Sequence, residues 1–382
     1  MVRSAAVAVL GLLFVTALPG SGYAGGRITV GDGTPASCTE TALKHALLVA
    51  DTIGGGTVNF KCGPAPVTIP LSQATEIEQM LVLLILPDKI TVDGDGRVTL
   101  DGTGTATVVF VGRGMTAALK NLSIIGGRGA ADTFAAGGIV NAGELTIRKS
   151  RLFGNSGFFV GAILNTGTLD LHDSTISSNG GFFFAGGIQN HGTLTVSRST
   201  FTRNATAFEG GGIWNSGTLT IKHSALAHNR AEDGDGGAIA NFGTLTMNHS
   251  TVSENVAFVG GGVANYGELT AKHSAFLENS AIVGGGIFSG GFFGSVEVKH
   301  SDLVGNGAVF GGGIFVDAGT AAFKHSTITE NGAFLGAGIF ACVEGHASPT
   351  VFPVLTCQAT LPLFLKHTTV TGNTPDDIFP PQ

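Results

Sequence analysis

The stretch Gly211-Gly212-Ile213-Trp214-Asn215-Ser216-Gly217-Thr218-Leu219-Thr220-Ile221-Lys222-His223-Ser224-Ala225-Leu226-Ala227-His228-Asn229 decides the fold. Leu219 and Ile221 alternate with Thr218, Thr220 and Lys222, which is the signature of a half-buried strand and not of a helix. Gly-Gly and Asn-x-Gly break the unit into three short extended pieces. The same plan recurs over residues 186–204, 237–255 and 261–279. Its closing asparagine falls at Asn155, Asn179, Asn204, Asn229, Asn255, Asn279, Asn306 and Asn331, in steps of 24 to 27 residues, and then at Asn373 after a step of 42. Strands this short, at this period, leave no room for connecting helices. The economical solution is one coil per unit, with equivalent strands pairing in parallel from coil to coil. A single coil cannot bury its apolar face, so stacking supplies the core. Each coil then advances by about 4.8 Å, the strand spacing of a sheet. An antiparallel propeller is the alternative, but its blades are usually longer, about 40–50 residues. The expectation is an all-β chain: a single right-handed parallel β-helix, its hand following that of parallel crossovers.

In such a stack, equal positions form ladders. Ser150, Ser174, Ser199, Ser224, Ser250, Ser274, Ser301 and Ser326, continued by Thr368, share the inward phase with residues such as Leu226. Buried hydroxyls in a row can satisfy one another along the stack. The closing asparagines are expected to do the same with turn backbone. Both ladders read as structural.

Composition agrees with this picture. Glycine is abundant (61 of 382 residues) but has no Gly-X-Y period, which excludes collagen. With 43% hydrophobic residues the chain is not disordered, and a net charge of −7 with 12% charged residues gives no reason to expect nucleic acid. Arg3 followed by the apolar run 5–18, then Pro19-Gly20 and small residues up to Ala24, reads as a signal peptide. Residues 1–24 would be removed, and the mature chain would be secreted, at the cell surface or periplasmic, with no transmembrane segment. Four cysteines fall into two local pairs, Cys38 with Cys62 and Cys342 with Cys357. In an exported chain two disulfides are the natural reading. The 42-residue step holds the second pair, so residues 342–362 read as an insertion loop.

The organisation expected is therefore a cap over 25–66, coils over 67–373 and a tail over 374–382 crossing the last coil. Within the cap, Leu43, Ala46, Leu47 and Ala50 share one helical face, Thr39 can cap the helix, and Gly54-Gly55-Gly56 ends it, giving a helix over 40–51. Cys38–Cys62 would tie it to a first strand at 57–60. Covering the end matters because an open sheet edge invites aggregation.

The repeat resembles the GGAI and FxxN motifs of the polymorphic outer membrane protein family. Gly236-Gly237-Ala238-Ile239 matches the first; Phe201-Thr202-Arg203-Asn204 and Phe276-Leu277-Glu278-Asn279 match the second. The likeness spans about residues 113–373, with Leu, Ile or Val in place of the aromatic elsewhere. More broadly the chain is similar to the pectin-lyase-like superfold. The first resemblance implies adhesion. It does not extend to that family's membrane barrel, for which no region of suitable length follows the coils. The second implies action on acidic polysaccharides through clustered carboxylates, or through calcium and a basic residue.

Candidates for chemistry are few. Asp170 and Asp173 flank His172 in one coil; the bland reading is an ordinary surface coil. Glu232, Asp233 and Asp235 form an acidic turn that is either a weak calcium site or a solvated loop tip. Asp93 and Asp95 begin like a calcium loop that Arg97 interrupts. His223, His249, His273, His300, His325 and His367 occupy one coil position, each but His249 preceded by lysine. They are either a metal-binding or pH-sensing row, or a bend at which histidine tolerates left-handed backbone. No cofactor motif is present.

The turn between the closing asparagine and the next Gly-Gly is apolar. It carries Phe158-Phe159, Phe182-Phe183-Phe184, Phe208, Phe258, Phe310 and Phe334. Consecutive rings of an extended strand cannot all face one way. Either the rings form an exposed binding ridge, or a wide turn folds them into the core. The leading functional expectation is a non-catalytic scaffold for surface attachment, envelope structure or glycan binding, with a polysaccharide or a cell surface as partner. A polysaccharide lyase or hydrolase is the alternative, and a self-associating structural element a third.

Overall fold

The computed structural model describes residues 26–77, 79–132, 134–291, 294–341, 363–375 and 378–379. The expected leader, the insertion 342–362 with Cys342 and Cys357, and the final residues lie outside them. Within them the chain is an all-β parallel solenoid of about 10 turns, with very little helix.

One coil shows the plan. Ile213–Asn215 belongs to a flat 13-stranded sheet. Thr218–Lys222 and Ala225–Ala227 are the two limbs of a bent 23-stranded sheet. Arg230–Ala231 ends a short five-stranded sheet, whose line later coils continue as single bridges such as Val256↔Ser280. Registers run residue on residue: Thr218 pairs Thr244, Leu219 pairs Leu245 and Ile221 pairs Met247. Every described pairing is parallel except Thr75–Ile77 against Met80–Leu86. Ile213, Leu219, Ile221 and Leu226 are fully buried and extend one core along the whole stack.

The bend is fixed by backbone chemistry. His223, His249, His273, His300, His325 and His367 all have φ between 48° and 51°, and Lys149, Asp173 and Arg198 take the same conformation in earlier coils. A left-handed residue lets the second limb start with a serine turned inward. Each serine hydroxyl accepts from the backbone N–H of the serine one coil earlier, as in Ser199 N to Ser224 Oγ at 3.1 Å. It donates to the carbonyl two residues before it, as in Ser224 to Lys222 O at 2.7 Å. The ladder is thus satisfied through backbone and not hydroxyl to hydroxyl.

The closing asparagines form a second buried ladder. Asn229 Oδ1 accepts from both the N–H and the Nδ2 of Asn204, and Asn229 Nδ2 donates to Phe201 O. The residue before each one is also left-handed, for example His228, Glu254 and Glu278. A third ladder, Asn141, Asn165, Asn190, Asn215, Asn241 and Asn265, joins amides at 2.7 to 2.8 Å inside the Asn-x-Gly corner. The glycine of that corner has no space for a side chain: a Cβ on Gly217 would stand 2.1 Å from Gly192 O.

The N-terminal end differs from expectation in one respect. The first described strand is Gly26–Val30, not 57–60, and it pairs in parallel with Gly56–Phe60. Ile28 and Val30 alternate with Arg27 and Thr29, a pattern long enough to add one rung. The helix Glu40–Thr52 lies between these strands. Thr39 Oγ1 caps it, and Leu43, Ala46, Leu47 and Ala50 pack into the end of the core. Cys38–Cys62 is formed, with Cα atoms 5.7 Å apart. At the other end the described residues of the expected tail continue the stack. Thr374 bridges Gly332, and Ile378–Phe379 adds a parallel rung to Ile339–Ala341.

Candidate functional site

The apolar turn resolves into two layers. Within it, alternate residues turn back over the outer face of the flat sheet. The middle residues of the flat strands point outward, yet Val140, Leu164, Phe288, Phe315 and Phe340 are buried there. Phe159, Val259, Val283, Phe310 and Leu335 cover them, so a second apolar layer lies outside the coil. The remaining turn residues face solvent. Phe158, Phe182, Phe183, Phe208, Phe258 and Phe334 are exposed, Phe208 by 39% and Phe334 by 72%. Of the eight aromatic candidates, Phe159, Phe184 and Phe310 are half-buried in the outer layer; Phe158, Phe183, Phe208, Phe258 and Phe334 stand on the surface. The exposed rings stack between coils: Phe158 on Phe182 at 5.6 Å, and Phe183 on Phe208 at 5.4 Å. Such offset stacks pre-order a wide aromatic face.

This aromatic path continues onto the flat sheet. Phe184 meets Trp214 at 5.3 Å, Trp214 meets Phe242 at 5.5 Å, and Phe242 stacks on Tyr266 at 4.9 Å. Two carboxylates are set into it. Trp214 Nε1 donates to Glu209 Oε2 at 2.6 Å, and the Tyr266 hydroxyl donates to Asp235 Oδ2. Burial pushes the Glu209 carboxyl up; the Trp214 bond opposes this and the Asp235 charge adds to it. Burial likewise raises Asp235, against the pull of Tyr266. The Tyr266 phenol is pushed up by burial and then by the Asp235 charge. Neither carboxylate has an ion-pair partner among the described residues. His191 lies at the edge of the patch, 5.1 Å from the Trp214 ring, and bonds Ser216 Oγ and the Gln189 amide. Its imidazole is lowered by burial.

Sequence reading missed Glu209, Trp214, Phe242, Tyr266 and His191 because none of them repeats. They occupy the variable positions of an otherwise fixed frame: the middle of the flat strand for Trp214, the x of Asn-x-Gly for His191, Phe242 and Tyr266, and the turn before Gly-Gly for Glu209. A search for departures from the repeat would have found them.

The structure disperses the other candidates. Asp170 faces outward in mid-limb, between Thr146 and Thr195 of the adjoining coils. Asp173 sits at the bend in a two-bonded ion pair with Arg198 at 2.7 and 3.0 Å, which holds its carboxyl below the usual range. Of the acidic turn, Glu232 pairs with Arg230 at 3.5 Å while Asp235 turns away to Tyr266. Asp93 accepts from Asp95 N–H and Asn121, and Asp95 pairs with Arg97 beside a surface cleft next to the disulfide. The six bend histidines stack face to face with centroids 4.8 to 5.1 Å apart. Rings stacked in this way direct their nitrogens side by side and not toward a common centre. Among the described residues no group of three or more His, Cys, Asp or Glu is placed to hold a metal ion.

No family model matches the chain, and no curated protein matches it. The repeat likeness noted above therefore stays at the level of its motifs. Among solved structures the chain is similar to the A-module of the mannuronan C-5 epimerase AlgE6 of Azotobacter vinelandii. The identity is 16% and the TM-score 0.45, over 93% of this chain and 100% of that one. At that similarity it says nothing about the chemistry of this chain. Among the described residues no helix is long and apolar enough to cross a membrane.

Proposed function

We propose that this chain is an exported β-helix scaffold that holds a polysaccharide, or a glycan-bearing surface, along its aromatic edge. One observation carries the reading: rings stacked from coil to coil are left in water at Phe158, Phe182, Phe183 and Phe208, although Phe159 and Phe184 of the same turns are half-buried. Leaving apolar area exposed forgoes roughly 25 cal/mol for each Å² not buried, so a contiguous exposed row fits a binding surface better than a packing one. Flat aromatic faces suit sugar rings, and the adjoining Glu209, Asp235 and His191 supply hydrogen-bonding groups for hydroxyls. Export is supported by the leader-like residues 1–24 and by the Cys38–Cys62 disulfide. The test is retention of the chain on a panel of plant, algal and bacterial polysaccharides. Replacing Phe182, Phe183 and Phe208 together by serine is expected to abolish retention while the fold persists; undiminished retention would sink the reading.

A second reading, a polysaccharide lyase or hydrolase, is favoured by Glu209 and Asp235. Two carboxyls raised by burial beside a stacking platform are placed as an acid–base pair would be. Counting new chain ends over the same panel, with and without calcium, separates the two. Turnover that Glu209→Gln or Asp235→Asn removes would establish the enzyme.

A further inference from the structure

The bent edge carries a charge pattern that the chain's net charge of −7 conceals. All six bend histidines are exposed, stacked at coil spacing in one straight file. Immediately beside them, on the first limb, runs a second file: Lys222, Asn248, Lys272, Lys299, Lys324 and Lys366, in register from coil to coil. The earlier coils carry Arg148, Lys149 and Arg198 in the two files, which are broken by His172 and Ser197 in one and by Asp173, which Arg198 neutralises, in the other. The acidic groups facing the files are few. On the first limb Glu297 bridges Lys299 and Lys324 at 2.7 and 2.8 Å, and Glu268 stands at the start of its strand. On the second limb Asp302 follows His300 by two residues. Glu254, Glu278 and Glu330 lie at the far corner of that limb, where Glu254 pairs with His228. The neighbouring outward positions carry hydroxyls at Thr220, Thr246 and Thr270 on one side, followed by Glu297, Ala322 and Phe364, and at Thr251, Ser253 and Thr327 on the other, interspersed with Ala225, Ala275 and Leu277.

We infer that this edge is a binding site for a linear acidic polysaccharide, weak at neutral pH and strengthened in mild acid by protonation of the histidine file. The lysines give a permanent positive line. The file can add up to one further charge per coil, histidine being the side chain type whose charge ordinarily changes between about pH 5 and 8. Charging stacked rings at this spacing is unfavourable on its own, and His325 shows it: burial lowers its imidazole, and His300, His367 and Lys366 lower it further. A bound polyanion offsets that repulsion, so binding takes up protons. One positive step per coil along a single file suits one extended polymer. The flanking threonines and serine offer hydrogen bonds to sugar hydroxyls, and an exposed ring beside the files, Phe364, lies in the last coil. The site lies at the bend, not on the aromatic turn, and does not depend on the ridge.

The experiment uses the full mature chain with polygalacturonate, an uncharged dextran and anionic phosphatidylserine vesicles as probes, by calorimetry at about pH 5.5 and about pH 7.5. Repeating the acid titration in two buffers of different ionisation enthalpy counts protons. Polygalacturonate is expected to bind at least about tenfold more tightly in acid, with proton uptake, and more weakly as salt is raised. His249→Asn, His273→Asn and His300→Asn combined keep a residue that tolerates left-handed backbone. That variant is expected to lose most of the pH dependence but not the neutral-pH binding, whereas Lys222→Gln with Lys272→Gln and Lys366→Gln weakens both. Equal affinity at the two pH values, equal binding of dextran, preference for the vesicles, or an unaltered pH dependence in the asparagine variant would each overturn the inference.

Discussion

The two long edges of the coil are made from the same repeat and are chemical opposites. At the bend, the residue that turns the chain is constrained by its backbone. A φ near 50° favours His, Asp or Asn over branched side chains, and the serine that follows is held by two hydrogen bonds. At the aromatic turn no such constraint acts on the exposed rings. Phe158 and Phe208 are neither at positive φ nor in the core. Where backbone geometry explains a residue, repetition alone is no sign of function; where it does not, repetition asks for a partner. The histidine file is the instructive mixed case. Its conformation explains why some polar residue sits there, but not why six successive coils choose histidine beside a line of lysines.

The comparison can be broken by substitution, and the largest contrast lies between core and ridge. Phe201→Ala, in the sealed core, is expected to cost about 4 kcal/mol, whereas Phe208→Ala on the ridge should change stability by less than about 0.5 kcal/mol. Denaturant unfolding monitored by circular dichroism measures both, and a similar loss for both would mean that the ridge is a packing layer. Next comes the closing asparagine ladder. Asn229→Ala removes the buried acceptor of two Asn204 donors and the side-chain donor to Phe201 O, for a cost of about 3 kcal/mol. Hydrogen exchange should show the two flanking coils opening first; unchanged protection there would contradict the assigned network.

Smaller still is the bend itself. His249→Asn should be nearly neutral, while His249→Val, a branched residue forced into left-handed backbone, should cost about 1–2 kcal/mol. Equal midpoints for the two would deny that conformation selects the residue. The smallest effect is that of pH without ligand. His172, His191 and His325 are lowered, in each case first by burial. Their folded values lie below the unfolded value of about 6.5, so the folded state binds fewer protons across that interval. This stability is full above the unfolded value and is lost as pH falls through it toward the folded values. The thermal midpoint should therefore drop modestly between neutral pH and mild acid and recover when polygalacturonate is added. A midpoint indifferent to both would tell against the charged edge.

Much of this was written in the sequence. The spacing of the closing asparagines gave the coil, the alternation in residues such as Leu219 and Ile221 gave the inward face, and Thr39 with the Leu43 face gave the cap helix. These are local or periodic signals, and a repeat states them many times. The Asn-x-Gly ladder was legible only as a turn, because hydrogen bonding between Asn190 and Asn215 is visible only when coils are in register. The fate of the paired phenylalanines was open for a related reason. Alternation says that neighbours diverge, but not that one of them folds over the outer face of the flat sheet.

By itself, then, the sequence determined the solenoid, its period, its polar inner ladders and the chemistry offered at each edge, because stacking turns a linear period directly into spatial columns. Only the tertiary structure decided which rings meet water, that Glu209 and Asp235 sit in one aromatic patch, and that the histidine rings stack face to face in the open. Those facts depend on neighbouring columns around the coil and on how wide each turn is. Side-chain packing sets them, and no one-dimensional pattern records it.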